Sequence, residues 1–574
     1  MSTTTDSADP QPARTYGQAI EALNTLQSNA ATIEAIRKSG GRLNEYGIPE
    51  MIEYLERIGY KPDDLNALNV IHITGTKGKG STSAFCDSLF RELDPKGEKK
   101  VGLYTSPHMV AVRERIRING LPIAEDVFAR YFWEIWDRLG QNASRRFDFT
   151  PLRPIYFRFL TLLALHIFLQ EGVSATILEV GIGGKYDSTN IVPKPVVTAV
   201  SQLGLDHTAL LGNTVEEIAV QKAGIFKPGV VALSWKGQPG GSLDKMADVA
   251  SQVGTRLELV DLHPEIVELD LGLRGDHQRT NASLAVEIMN RFVQSEVGKS
   301  EFGKGLELAN GTTTSLDDAA PVLQAWQRSG LEKARWPGRC QVVPTKHRFG
   351  IEEEGTAAAA ASNTNWFLDG AHTVDSLSLC SSWFVQAERE SGGSAPGGRR
   401  RRMLVFNCTN GRSAPELLGA VLESLEASLE EAAKADEKLT AERVQETLRF
   451  PRARAYFDKV VFCTNVTYAD GGSASDLTSK TVDANDLASL TVQRELKEAW
   501  EELLGGGESN SKSQVLILAS IEEAIKLAYE EEPSNATTSS TTNVLVTGSL
   551  HLVGGVMAHL KDSNHLDERL LSVL

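Results

Sequence analysis

The residues best placed to do chemistry lie in NVIHITGTKGKGST, from Asn69 to Thr82, where an apolar run ends in a glycine-rich turn and passes into a helical pattern at Ser81. Such a turn lets backbone N–H groups converge on phosphate oxygens. The helix start adds its positive end, Lys79 a full charge, and Ser81 a hydroxyl that can reach magnesium. The chemistry implied is the holding of ATP phosphates on the loop from Gly75 to Ser81. Its spacing departs from the common pattern: two residues separate Gly75 from Gly78-Lys79 where the usual motif has four, and Gly80 intervenes before Ser81. A flexible turn would explain the glycines, but not Lys79 followed by Ser81 and Thr82 at a helix start.

Three further residues fall just beyond strand-like runs, where a doubly wound sheet carries its ligands. They are Ser106 in YTSPHMVAVRERIRING, Glu179 in ILEVGIGGKYDSTN and His207 in SQLGLDHTALLG. Hydroxyl, carboxylate and imidazole on neighbouring strand ends suit a magnesium ion bound to ATP phosphates. Each has a plainer alternative: Ser106 as a turn cap before Pro107, Glu179 paired with a basic neighbour, His207 as a hydrogen-bonded core histidine. Glu179 tells most, since burying an unpaired carboxylate is costly.

The elements that must position these residues are legible as alternating strands and helices. Strand-like runs at Val70 to Thr74, Val101 to Thr105, Ala175 to Val180, Val196 to Ser201 and Val230 to Ser234 are separated by helical patterns. A second series follows at Trp366 to Asp369, Met403 to Asn407, Val460 to Cys463, Val515 to Ala519 and Val544 to Thr547. The expected fold class is α/β: a doubly wound, mostly parallel P-loop ATPase domain over residues 1–335, with N-terminal helices, and a second Rossmann-like α/β domain over 336–574. The boundary is expected near Arg335 to Arg339. Asn310 to Asp318, Ser391 to Arg402, Glu430 to Glu446, Ala469 to Asn485, Gly505 to Ser513 and Ser534 to Thr542 read as loop insertions. The run Arg399 to Arg402 reads as a solvated loop, with attraction of a polyanionic tail as the alternative.

Composition excludes several classes. A net charge of -16 and a pI of about 5.3 disfavour a surface built for nucleic acid or anionic lipid. Cys86, Cys340, Cys380, Cys408 and Cys463 lie far apart, with no CxxC pair, so neither a disulfide framework nor a zinc site is indicated. The longest apolar stretch, Ile155 to Gln170, is too short to span a bilayer and reads as a buried helix. MSTTTDSADPQPART carries Asp6 and Asp9 and makes a poor transit peptide, so a cytoplasmic address is expected, with a mitochondrial form from another start site left open.

Taken together, TGTKGKGST, YTSPHMVAVRERIRING, ILEVGIGGKYDSTN, QKAGIFKPG, RWPGR, FLDGAHT and VLVTGSLHLVG resemble, in this order, the folylpolyglutamate synthases of eukaryotic type, and more widely the Mur ligases. The resemblance runs from Tyr16 to Gly555 apart from the inserted loops. It implies ATP phosphates on Gly78, Lys79, Gly80 and Ser81, with magnesium, as two ions, held by Ser106, Glu179 and His207, and a monovalent cation such as K+. It implies catalytic roles for Lys79, Lys222 and His207, with Lys222 carbamylated by carbon dioxide; a salt-bridged lysine is the alternative. Gln221 stands where bacterial relatives usually have glutamate, as in the eukaryotic branch. By resemblance Arg339 in RWPGRC contacts phosphate, Asp369 touches the ribose, Asn281 in LRGDHQRTNASLA lies near the nucleotide, and His372 and Ser549 line the incoming glutamate. Alternatives are an Arg339 stacked on Trp336, an Asn281 or Ser549 that caps a helix, and a His372 that merely follows a tight turn.

The reaction so implied joins L-glutamate in γ-linkage to a reduced folate or folylpolyglutamate, by phosphorylating the folate carboxylate and displacing phosphate with the amine. The substrates are expected to meet in a cleft that shields the acyl phosphate from water, in a monomer. The nearest competitor is a dihydrofolate synthase acting on dihydropteroate. A nucleotide-binding regulator without catalysis would be expected to lack Lys79, Glu179 or His207, and all three are present.

Overall fold

The computed structural model describes residues 14–27, 46–148, 150–310, 322–345, 363–390, 400–408, 412–435, 449–469, 476, 489–505, 513–529 and 541–562. The chain forms two compact units. Unit 1 takes Met1–Pro107, Val112–Asp261 and Leu284–Gly311; unit 2 takes His108–Ala111, Leu262–Ser283 and Thr312–Leu574. Residues 262–283 go with unit 2 because they bond into it: Gly272 N–H donates to Leu331 O at 2.9 Å, and Arg328 pairs with Glu265 at 2.5 Å.

Unit 1 is built on an eight-stranded sheet of β1 (Val70–Thr74), β2 (Val101–Tyr104), β3 (Ile116–Ile118), β4 (Leu121–Pro122), β5 (Ala175–Glu179), β6 (Val197–Val200), β7 (Val231–Trp235) and β8 (Leu257–Val260). Their order is β4-β3-β2-β5-β1-β6-β7-β8. The six strands from β2 to β8 in that order pair in parallel, and β3 and β4 add an antiparallel edge. β1, β5 and β6 are buried at every position, as strands covered on both faces must be. From β1 the chain moves to β2 on one side, and after β5 it crosses to β6 on the other. The C-terminal end of β1 therefore lies at the switch point where open α/β sheets bind ligands.

The helix Tyr156–Glu171 buries Phe159 to Phe168 without interruption and ends at Gly172, whose φ of 62° closes it in the left-handed conformation. It is the buried helix expected from the apolar stretch. Among the described residues no helix is long and apolar enough to cross a membrane.

Unit 2 carries a six-stranded sheet of β9 (Gln341–Thr345), β10 (Asn363–Leu368), β11 (Arg400–Phe406), β12 (Lys459–Cys463), β13 (Gln514–Leu518) and β14 (Thr541–Thr547). Their order is β13-β12-β11-β14-β10-β9, parallel except for β9. Its core includes Trp366, Phe367, Leu404, Phe406, Phe462 and Trp500.

Two local expectations change. Arg400 to Arg402 belong to β11: Arg402 Nε donates to the buried Glu388 at 2.7 Å and Arg401 Nη2 to Thr542 Oγ1 at 3.0 Å. These arginines hold the sheet, so neither the solvated loop nor the anion-attracting tail describes them; Arg399 lies outside the described residues. The helix Ala414–Ala435 runs through the start of the segment read as an insertion from Glu430. The remainder of that segment and most of the other expected insertions lie outside the described residues, as do residues 1–13.

Candidate active site

In unit 1, β1 ends at Thr74 and the chain turns on Gly75 and Gly78, with φ of 150° and 84°, into the helix Lys79–Leu93. A Cβ on Gly75 would lie 2.0 Å from Ser201 Oγ, so no larger residue fits there. Thr76 and Lys77 N–H both donate to Gln202 O at 2.9 Å, and Thr82 N–H makes the first helical bond, to Gly78 O at 2.8 Å. Between them, the N–H groups of Gly78, Lys79, Gly80 and Ser81 find no acceptor among the described residues. The Ser81 hydroxyl, on a residue 4% exposed, has none either. A row of uncommitted donors at the positive end of a fifteen-residue helix is what an anion completes.

Two lysines converge on this turn. Lys79 Nζ donates to Gly75 O at 2.9 Å and to Thr76 O at 3.4 Å, while Lys222 Nζ donates to the same Gly75 O at 2.7 Å. Lys222 sits in the last turn of the helix Val215–Ala223, whose start is fixed by a capping box between Thr214 and Glu217. Burial, and then the neighbouring Lys79 charge, hold the Lys222 amine well below the ordinary lysine range. Among the described residues it makes no salt bridge. Gln221 meets the site through its backbone, its carbonyl accepting Lys185 N–H at 2.8 Å.

β2 and β5 are sheet neighbours, and Ser106 N–H donates to Glu179 Oε2 at 3.0 Å, so the structure brings these two residues together. His207 has φ of 51°, is exposed, and precedes the one-turn helix Thr208–Leu211 with Nε2 3.8 Å from Asp206 Oδ2. Its exposure excludes the core-histidine alternative. The structure thus sets His207 beside Asp206. Among the described residues no three His, Cys, Asp or Glu side chains gather into a metal site of their own. A serine and a carboxylate held together at the ends of β2 and β5, with β5 next to β1, are oxygen ligands of the kind that fit a hard cation which keeps water and phosphate ligands, as magnesium does.

A residue the sequence left without a role, Asp187, shapes the turn after Glu179. Its buried carboxylate accepts Gly181 and Ile182 N–H at 3.1 Å and Thr189 N–H at 3.0 Å. Gly184 lies so close to the Lys222 helix that a Cβ there would stand 2.7 Å from Lys222 O. The last glycine of GIGG is therefore spacing for close backbone approach, a signal that the motif carried but whose partner it could not name.

Unit 2 holds the remaining predicted residues. Asp369, just past β10, is buried, and its carboxylate accepts Cys340 N–H at 2.8 Å and Ala371 N–H at 2.9 Å. It ties together the segments RWPGRC and FLDGAHT. Arg339 makes no hydrogen bond or ion pair among the described residues. It lines a cavity of about 680 Å³ shared with Arg274, Arg335 and Trp336 but also with Asp276 and Glu332. His372 Nδ1 lies 2.8 Å from Gly370 O, and its backbone carbonyl accepts a bond from Arg412. Ser549 Oγ accepts Leu552 N–H at 3.4 Å at the start of the helix Leu550–Asp562, so its capping role is met. Asn281 is not a cap: the helix His277–Gln294 begins before it, and its Nδ2 donates to Gln278 Oε1 at 2.9 Å, one helical turn back.

No family model matches the chain. It is 37% identical over 553 residues to a folylpolyglutamate synthase of Saccharomyces cerevisiae, a match that covers 95% of this chain and 86% of the relative. Among solved structures it is similar in fold to the Mycobacterium tuberculosis folylpolyglutamate synthase complexed with ADP and AMPPCP (TM-score 0.58, 19% identity, 89% of this chain and 94% of that one). It is similar also to a bifunctional folylpolyglutamate synthase/dihydrofolate synthase of Yersinia pestis complexed with AMPPNP and Mn ion (TM-score 0.58, 20% identity, 96% and 100%). With 37% identity to the yeast enzyme sustained along nearly its whole length, this chain belongs to the folylpolyglutamate synthase family.

Proposed function

We propose that the chain is an ATP-dependent ligase that adds L-glutamate in γ-linkage to reduced folates through an acyl phosphate. The observation that carries the reading is the row of uncommitted N–H groups from Gly78 to Ser81 beside Lys79, in a chain of this family. In the reaction a folate γ-carboxylate oxygen attacks the γ-phosphorus of ATP and ADP leaves. The glutamate amine then attacks the acyl carbon, losing a proton, and phosphate leaves.

Each step needs something these side chains supply. The N–H row and Lys79 hold the phosphates and stabilise charge on the transferring group, while Arg339, by its planar guanidinium, remains a proposed phosphate contact. Ser106 and Glu179 would hold magnesium, with His207 recruited from beside Asp206; the ion, when bound, neutralises charge as the phosphoryl group moves. Burial and the Lys79 charge lower the Lys222 pKa and so favour the uncharged amine, the form that reacts with carbon dioxide, which supports a carbamate there. Asp369, His372, Asn281 and Ser549 remain proposed nucleotide and glutamate contacts.

The second reading, glutamate addition to dihydropteroate, rests on the bifunctional Yersinia pestis neighbour. The yeast relative's name favours polyglutamylation. Side-by-side assays of glutamate-dependent ADP release with tetrahydrofolate and with dihydropteroate separate them: turnover is expected with the first acceptor, and activity confined to the second would replace the proposal by its rival.

A further inference from the structure

The phosphate loop does not hold its own shape. It lies on the segment just past β6, and several polar groups of that segment bond to it or to the end of β1. Ser201 N–H donates to Thr74 O at 2.8 Å and Ser201 Oγ to Lys77 O at 2.6 Å. Gln202 O takes the N–H groups of both Thr76 and Lys77, and Thr76 Oγ1 exchanges bonds with the N–H and C=O of Gly204 at 3.1 Å. Which way the loop's free N–H groups point is therefore set by where residues 201–204 sit.

Behind this template stands Gln238, three residues past β7, in a stretch that matches no motif. Its side chain is nine-tenths buried and fully engaged. The carboxamide oxygen accepts Leu203 N–H at 2.8 Å; the nitrogen donates to Ser201 O at 2.9 Å and to Ser234 Oγ at 3.1 Å. A glutamine with all three hydrogen-bonding groups committed, two of them to the backbone of one short segment, fixes that segment in position and orientation. We infer that Gln238 is a positioning residue for ATP. It touches no phosphate but clamps the Ser201–Gly204 template, and through it the aim of the Gly78 to Ser81 donors. The inference rests on the reading of that loop as the phosphate site.

Direct binding of ADP to the purified protein tests it, with no folate present, for wild type, Gln238→Leu, Gln238→Glu and Lys79→Ala. Gln238→Leu strips all three bonds and leaves Leu203 N–H and Ser201 O without partners. Gln238→Glu keeps the acceptor for Leu203 and loses both donors, so it reports even if the leucine variant does not fold. Both are expected to weaken ADP binding by about tenfold or more, since small misplacements of binding groups are costly, and to raise KM for ATP while KM for glutamate stays within about twofold. A folded variant with a lowered Tm but unchanged ADP affinity would reduce Gln238 to a structural glutamine and overturn the inference. If Lys79→Ala weakens ADP binding and neither Gln238 variant does, the inference falls and the loop assignment stands. If Lys79→Ala leaves ADP binding intact, the loop assignment falls and takes the inference with it.

Discussion

Lys79→Ala is expected to lower glutamate-dependent ADP release by about 100-fold or more while leaving the fold intact, by analogy with the loss of one transition-state contact. Lys79 lies at the first position of its helix, half-buried, and its ammonium rests on the carbonyls of Gly75 and Thr76. Those bonds hold the charge at the mouth of the donor row, where phosphate would draw it away. Removing it also relieves the repulsion that, after burial, depresses the Lys222 amine, so Lys222 should become easier to protonate in the variant. Steady-state kinetics with saturating folate check the first effect. Turnover within a few-fold of wild type would remove Lys79 from the reaction.

Glu179→Gln is the second large effect. The carboxylate is 4% exposed at the end of β5, and one oxygen already accepts Ser106 N–H at 3.0 Å. Glutamine keeps the length and an oxygen acceptor for that bond, so local geometry should survive; what disappears is the negative charge facing the proposed cation. Turnover should fall by about 100-fold, and the magnesium concentration for half-maximal activity should rise, because a hard divalent ion loses its one anionic protein ligand in the pair. A magnesium titration at fixed ATP reads this directly. A fall in turnover with an unmoved magnesium midpoint would assign Glu179 to holding the Ser106 turn rather than the metal.

The fold was legible where strands are covered on both faces. β1, β5, β6, β12 and β14 are dominated by buried apolar and β-branched residues, as a parallel sheet under helices requires. The edges were not. β3 and β4 are too short to leave a periodic signal, β8 alternates Leu257, Glu258, Leu259 at a half-exposed border, and β9 contains Pro344, which a sheet accepts only at its edge.

The same division runs through the site. Gly75, Lys79, Ser81, Ser106 and Glu179 announce themselves because their chemistry depends on residue type at strand ends. Asp187, Gln238 and the Ser201–Gly204 template act through backbone hydrogen bonds between segments more than a hundred residues apart in some cases, as from Thr76 to Gly204. No local spacing encodes such a partner. Asn281 shows the reverse failure: an asparagine before an apolar helical run looks like a cap, but the helix starts at His277 because Gly275 turns the chain there with φ of 101°.

The central claim, that the loop at Gly75 to Ser81 serves to activate a folate carboxylate as an acyl phosphate, is tested most directly by isotope transfer. Tetrahydrofolate carrying heavy oxygen in its γ-carboxylate is converted with ATP, magnesium and glutamate, and the released phosphate is analysed by mass. Carboxylate attack on phosphorus followed by departure of phosphate from the acyl carbon carries one labelled oxygen into each phosphate formed. Phosphate free of label, released in step with amide formation, would contradict the account.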